Sequence, residues 1–276
     1  MPRVVFITGT SRGLGHELVQ VFLSAGDHVV ATARDPSTLS FNSTTATNYL
    51  PLKLDVTSPI EIEEAFTAAL AKFGRIDIVI NNAAYGLIGP LESLSDKQVR
   101  AQFDTNFFPV VNITRKAIQT MRTQSPAGGT ILQVSTMGAS LGVPLVAVMS
   151  ASKKAVETFT ESVQQEMRPE WHIKLVSVQF GPLITDAHTK SMVFGDNAVE
   201  VYDHIDAKEF VASVEQTMAA DKAAQAVERM LGLEDLPGKV LLVRGTYAGM
   251  LKAKMEREMM DGEREDLVEL AKSCEK

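Results

Sequence analysis

Three glycines, Gly9, Gly13 and Gly15, stand in the segment Thr8-Gly9-Thr10-Ser11-Arg12-Gly13-Leu14-Gly15, between an apolar β-rich run and an amphipathic stretch. Glycine lets a backbone come close to a ligand. A helix opening just behind the turn offers unpaired N–H groups and the positive end of its dipole. That combination suits a pyrophosphate, and Thr8, Gly9, Ser11, Arg12, Gly13, Leu14 and Gly15 are the expected binding residues. The spacing is Gly-x-x-x-Gly-x-Gly, not the commoner dinucleotide fingerprint, although the physics is shared. The bland alternative is a glycine turn that merely enters a helix. The same stretch spells Gly9-Thr10-Ser11-Arg12-Gly13, a nucleophile-elbow pattern. A hydrolase would also need an acid and a histidine downstream, and nothing around His172 or His188 marks either one.

Charge at the end of the second strand speaks to the choice of cofactor. A carboxylate there would bind the two ribose hydroxyls of NAD. Here the position is Ala33, followed by Arg34, with Arg12 in the glycine loop. Two guanidiniums aimed at one edge suit an extra 2′-phosphate, because arginine contacts phosphate in a bidentate way. NADP(H) is therefore expected. Asp35 falls one residue too late for the ribose role. The competing reading is that Arg12 and Arg34 are ordinary surface charges.

The elements that must position these residues are short apolar runs alternating with amphipathic stretches. Strands are expected at Val4–Thr8, His28–Ala33, Leu50–Leu54, Ile76–Ile80, Thr130–Val134, Lys174–Gln179 and Lys239–Val243. Helical patterns cover Leu14–Ala25, Ile60–Phe73, Lys97–Arg122, Ala151–Met167 and Ala220–Leu231. Each parallel crossover needs a covering helix, so the alternation implies an α/β fold with a doubly wound parallel sheet of Rossmann type. No repeat or linker divides residues 1–276, which read as one domain. Residues 186–210 lack clear periodicity and are expected to form a mobile substrate cap with short helices. A charged helix is expected over about 247–272.

Of the 276 residues, 45% are hydrophobic and 22% charged, with a net charge of -7. The acidic balance argues against nucleic acid, since phosphate backbones are met by clustered Lys and Arg. No run of about 18 apolar residues exists to span a bilayer. The amino terminus enters a strand directly and does not resemble a secretory signal. Cys274 is the single cysteine, which excludes an internal disulfide and suits a reducing compartment. A cytoplasmic protein without metal is expected.

Further segments carry a resemblance. Asn81-Asn82-Ala83-Ala84 ends the fourth strand, Asp55-Val56 follows the third, and Asn106 lies in the helix beyond. Ala151-Ser152-Lys153 and Phe180-Gly181-Pro182-Leu183-Ile184-Thr185 follow in order. Together with the glycine loop, over roughly residues 3–245, the chain resembles the short-chain dehydrogenases/reductases. The resemblance implies that Asp55 and Val56 contact the adenine, that Asn82 and Ala83 line the cofactor site with Gly181, and that Thr185 orients the nicotinamide amide. It gives Lys153 the nicotinamide ribose hydroxyls, and Asn106 a helix kink with a proton-relay water. The family's serine position falls on Thr136, beside Ser135. The proline usual before Gly181 is replaced by Phe180. The family's proton-donating tyrosine, four residues before the lysine, is Met149. Positions i and i+4 share a helix face, so a tyrosine there would lie beside the Lys153 ammonium. A thioether has no acidic proton. By the same resemblance, the helices near 97–122 and 151–167 would form a dimer interface, so a homo-oligomer is expected.

Losing a general acid costs roughly 10²–10⁴-fold in rate, so ordinary ketone reduction should be poor. Three readings remain. One is an NADP(H)-bound enzyme whose chemistry avoids the tyrosine, by iminium reduction or by a cyclase or isomerase reaction; family members lacking the tyrosine have been repurposed for cyclisations of natural products. Another is a carbonyl reductase or alcohol dehydrogenase with a substitute proton donor, for which Tyr85, Tyr202, His188 and His204 are the candidates. The last is a cofactor-sensing or scaffold protein without turnover. The substrate should be an apolar small molecule, with Tyr85, Val143, Phe180 and Phe194 expected in its pocket. Leu141, Leu145, Val146, Leu183, Met192 and Val193 add to the apolar character of these segments and could equally be core.

Overall fold

The first strand, β1 (Val4–Thr8), is buried along its whole length. It is an inner strand of a seven-stranded sheet covered by helices on both faces, which favours apolar residues. In the computed structural model, which describes residues 2–186, 190–243 and 246–262 with backbone alone for 258–262, the sheet also contains β2 (His28–Ala33), β3 (Tyr49–Lys53), β4 (Ile78–Asn81), β6 (Gly129–Thr136), β7 (Ile173–Phe180) and β11 (Lys239–Leu242). Their order is β11-β7-β6-β4-β1-β2-β3, every neighbouring pair parallel. The chain reverses its direction of travel across the sheet between β1 and β4. At such a switch point the loops beyond the strand ends open a crevice.

Alternation along the strands fills two cores. Val5 and Ile7 face α1 (Gly13–Ser24) and the helix Ala220–Met230, in a cluster with Leu18, Phe22 and Val227. Phe6 and Val79 face α2 (Pro59–Phe73) and α4 (Phe108–Thr123), with Phe66, Ile113 and Met121. Helix boundaries follow local chemistry. Ser58 caps α2 by accepting from Glu61 N–H, Pro59 opens it, and Gly74 closes it in the left-handed conformation at φ 76°. Ser95 and Gln98 form a reciprocal capping box at the start of α3 (Asp96–Asn106).

The single helix expected over 97–122 is two helices, α3 and α4, broken at Phe107 with φ −116° and ψ −59°. Pro109 accounts for the break. It has no N–H to give the Thr105 carbonyl, so the first helix ends and a second starts with proline in its first turn. The expected cap at 186–210 is also more regular than its sequence suggests. Met192–Phe194 forms β9, parallel to β5 (Gly86–Ile88), while β8 (Leu183–Ile184) pairs in parallel with β10 (Met218–Ala219). A 3-10 turn at Glu200–Tyr202 and a helix at Ala207–Ser213 follow. The carboxy-terminal helix runs over Thr246–Gly262, and the rest of the expected 247–272 helix, with Cys274, lies outside the described residues. Among the described residues, no helix is long and apolar enough to cross a membrane, and no group of metal-binding side chains occurs.

Candidate active site

A groove of about 880 Å³ runs along the carboxyl ends of β1, β2, β3, β4, β6 and β7. At one end lies the glycine loop. Gly9 and Gly13 hold left-handed φ values of 69° and 55°. A Cβ on Gly9 would come 2.8 Å from Ala83 Cα, and one on Gly15 would come 2.2 Å from the Gly9 carbonyl. The loop is thus packed directly against the segment after β4. Thr8 Oγ1 accepts from the Asn82 and Ala83 N–H groups, both at 3.0 Å. Asn82 Nδ2 returns bonds to the Thr8 and Gly9 carbonyls at 2.9 and 3.0 Å.

Of the residues expected at the cofactor end, Gly9, Ser11, Arg12, Gly13, Leu14, Gly15, Arg34, Asp55, Val56, Asn82, Ala83, Lys153, Gly181 and Thr185 line the groove. Thr8 does not. It is 1% exposed, and its hydroxyl is occupied in joining the two loops, so it shapes the groove from beneath. Thr185 faces the glycine loop, 3.6 Å from where a Gly13 Cβ would stand. Arg12 and Arg34 are exposed, and both line the groove together with Ala33. Arg12 Nη1 donates to the Lys190 carbonyl at 3.3 Å. Asp35 takes no part: its carboxylate accepts from Ser37 N–H and Oγ at 3.0 and 2.6 Å, which caps the turn Pro36–Thr38. Those bonds hold the Asp35 carboxyl below the usual carboxylate range. For the elbow pattern around Ser11, His172 does not line the groove, and His188 lies outside the described residues.

At the other end, α6 (Ala147–Glu166) presents Met149 and Lys153 to the groove, with Thr136 from the end of β6. Lys153 Nζ donates to the Val134 carbonyl at 2.8 Å. Burial pulls its pKa down to about 8, against the opposing field of Glu157. Thr136 Oγ1 accepts from Gly138 N–H at 3.3 Å. Val143, Val146, Met192, Phe210 and Val211 complete an apolar wall. Gly86 has no side chain, and the sulfurs of Met192 and Met149 fill that space, 2.5 and 3.2 Å from its notional Cβ.

Besides Thr8, two expected site residues, Asn106 and Phe194, do not line the groove. Asn106 is 0% exposed and does not line the groove. Its Oδ1 accepts from Tyr85 N–H, and its Nδ2 donates to the Tyr85 carbonyl, both at 3.1 Å, and to Ser152 Oγ at 3.3 Å. It fixes the pocket wall at Tyr85. Phe194 belongs to the apolar cluster of Ile88, Leu145 and Val146 behind the wall. Phe180 lines the groove as expected, although it is 2% exposed and also packs in the core beneath α1. Tyr85 and Val143 do line the groove, as expected.

Other positioning residues escaped the sequence reading. Gln98, Gln102 and Asn106 are spaced by four on α3, and all three are buried. Gln102 bridges Leu87 N–H (2.9 Å) and the Tyr85 carbonyl (3.0 Å). Gln98 bridges the Phe194 carbonyl (2.8 Å) and Asp196 N–H (3.1 Å). The signal was present as a stripe of amides at helical spacing where an apolar stripe is usual. Among the suggested substitute donors, Tyr85 lines the groove, with its phenol pKa raised first by burial and then by Asp104. Tyr202 instead donates to Glu92 at 3.0 Å, and His204 stacks on Tyr202.

The family model described as short chain dehydrogenase matches residues 3–193. The uncharacterized oxidoreductase C162.03 of Schizosaccharomyces pombe is 40% identical over 188 residues, which are 68% of this chain and 63% of that protein. The chain therefore spans less than two thirds of the length of that relative. A short-chain dehydrogenase from Streptomyces avermitilis superposes with TM-score 0.88 at 23% identity, covering 100% of this chain and 99% of the other. A short chain dehydrogenase from Burkholderia cenocepacia J2315 in complex with NADP gives TM-score 0.75 at 24% identity, covering 95% and 97%.

Proposed function

This chain belongs to the short-chain dehydrogenase family, and from that premise we propose that it is an NADP(H)-binding enzyme whose chemistry on an apolar small molecule does without the family's tyrosine. Met149 carries the reading. It faces the groove one helical turn before Lys153, with an apolar wall around it, at the position where the resemblance calls for the tyrosine.

The groove suits the cofactor. A Cβ at Gly9 or Gly15 would break the contact between the glycine loop and the β4 loop, and Gly13 needs a left-handed backbone. Arg12 and Arg34 offer cations beside Ala33, and the nearby Asp35 carboxylate is occupied elsewhere. The Burkholderia cenocepacia neighbour holds NADP, which supports the same choice here.

A reduced nicotinamide, when bound, supplies a hydride. Arg12 and Arg34 would bind the 2′-phosphate, and Lys153 the ribose hydroxyls. Thr136 can hydrogen-bond a substrate heteroatom, while Val143, Val146, Met192 and Phe210 exclude water. A ketone oxygen would find no proton at Met149. An iminium carbon is already cationic and accepts hydride without protonation of an oxygen. A cyclisation or isomerisation would need only orientation from the same walls.

NADPH consumption with cyclic imines and with ketones of matched size tests the proposal. Imine turnover, or substrate conversion with NADPH left intact, is expected. Ketone reduction as fast as in ordinary relatives would overturn it. The position of Tyr85 in the groove favours a second reading, carbonyl reduction with Tyr85 as donor, in which Tyr85→Phe abolishes ketone turnover.

A further inference from the structure

Glu157 lies one helical turn beyond Lys153 on α6, and its side chain is wholly removed from solvent. Its carboxylate accepts from Ser135 Oγ at 2.6 Å, Gln179 Nε2 at 2.5 Å and Lys239 Nζ at 3.1 Å, with Lys154 Nζ at 3.5 Å. These donors come from β6, β7, β11 and α6. Burying a carboxylate is costly even when it is paired, and an apolar residue of similar volume would hold a helix on a sheet without that cost. Packing alone therefore does not account for the charge.

The location suggests what does. Ser135 itself lines the groove, and it precedes Thr136. The Lys153 amine is anchored on Val134, in the same strand end. Glu157 thus touches the back of the segment whose front forms the candidate active site. We propose that Glu157 is a positioning residue: its buried negative charge, one helical turn from Lys153, acts on that amine and clamps the Ser135-Thr136 end of β6 against α6. The inference rests on reading this groove as the cofactor-binding active site.

Burial lowers the Lys153 pKa, and Glu157 is the charge that opposes the fall. Burial likewise pushes the Glu157 carboxyl up, but hydrogen bonds from Ser135, Gln179 and Lys239 outweigh it and hold the group ionised. The charged groups on this side of α6 include Glu157 and Lys154 of the helix itself, Lys239 of β11 and Lys254 of the carboxy-terminal helix. β6 and β7 contribute the neutral Ser135 and Gln179. α5 (Gly138–Leu141) contributes Ser140, whose carbonyl accepts from Lys254. From the side of α3 and β5 come the neutral Asn106 and the phenol of Tyr85.

The test is an NMR titration of the full chain carrying ¹³C-labelled lysine, with Lys153→Met used to identify the Lys153 signal. Glu157→Gln keeps the shape and removes the charge, and should lower the Lys153 midpoint by about one pH unit. Ser135→Ala removes a hydrogen bond but no charge, and should leave the midpoint in place. Lys239→Gln removes the competing cation and should raise it, which preserves the test if Glu157→Gln does not fold. A midpoint that moves in neither charge variant overturns the proposal. NADPH titrations on either side of the midpoint add a separate readout, with binding lost at lower pH in Glu157→Gln. A wild type that bound no NADPH would count against the cofactor reading, while the Lys153 titration would still decide the role of Glu157.

Discussion

At Met149 the side chain that meets the groove has no exchangeable proton, while one turn later Lys153 carries a proton that burial has loosened. Met149→Tyr would set a phenol beside that ammonium and near Thr136. It should bring measurable NADPH-dependent ketone reduction, since a general acid is worth roughly 10²–10⁴-fold, and should impair the native reaction by adding a polar group to an apolar wall. Ketone reductase assays of both proteins check this, and an unchanged rate would mean that another residue gives the proton. The sign for Lys153 follows from its depressed pKa. The folded state resists charging the amine, so Lys153 costs stability below about pH 8, and the cost fades as pH rises toward the ordinary 10.5. Lys153→Met should accordingly unfold at higher denaturant than wild type at neutral pH, with the gap narrowing above pH 8, while binding NADPH more weakly. Arg34→Ala should remove most of a preference for NADPH over NADH, read from the two dissociation constants. Equal affinities in the wild type would sink the 2′-phosphate assignment.

The element that does most to shape the substrate end is α3, and it does so through amides. Gln98, Gln102 and Asn106 reach the backbone on both sides of the β5–β9 pair, so the cap segment 192–197 is fixed to the body by the same face that fixes Tyr85. An edge ribbon of two three-residue strands has few ladder bonds of its own, and the side-chain amides supply the rest. Gln102→Ala would leave a Leu87 N–H and one bond to the Tyr85 carbonyl unmade in a buried place. It should lower stability by about 1–3 kcal/mol in denaturant melts, and raise KM for substrate more than it weakens NADPH. Gln102→Glu, which retains one acceptor, should recover the Leu87 bond but not the donor. The break at Pro109 belongs to this element as well, because it ends α3 at Asn106 and lets that side chain turn back toward Tyr85.

On the scale of the whole molecule, the groove gathers the ends of six strands and the loops beyond them. A ligand held there bridges segments far apart in sequence, and all of them separate on unfolding. NADPH at about 100 times its dissociation constant should add about 2.7 kcal/mol to stability by mass action. This would appear as a rise in Tm, with a smaller rise for NADH at the same concentration. Gly15→Ala should abolish the rise and lower Tm without ligand, because its Cβ would meet the Gly9 carbonyl at 2.2 Å and Asn82 Nδ2 at 2.5 Å.

By itself the sequence determined what rests on local periodicity and backbone freedom. Seven strand runs, their covering helices and the glycine loop were legible, because apolar alternation and left-handed glycines leave their mark within a few residues. The same holds for the Met149–Lys153 pair, which one helical turn brings together. Tertiary structure decided what depends on which side of a wall a residue stands. Thr8, Asn106 and Phe194 are close to the groove in sequence logic but sit behind it, since each finds its partners in a neighbouring element. Glu157 gave no sign of importance, because a glutamate on a helix is ordinarily solvated. Only the packing of α6 on β6, β7 and β11 buries it against Ser135, Gln179 and Lys239.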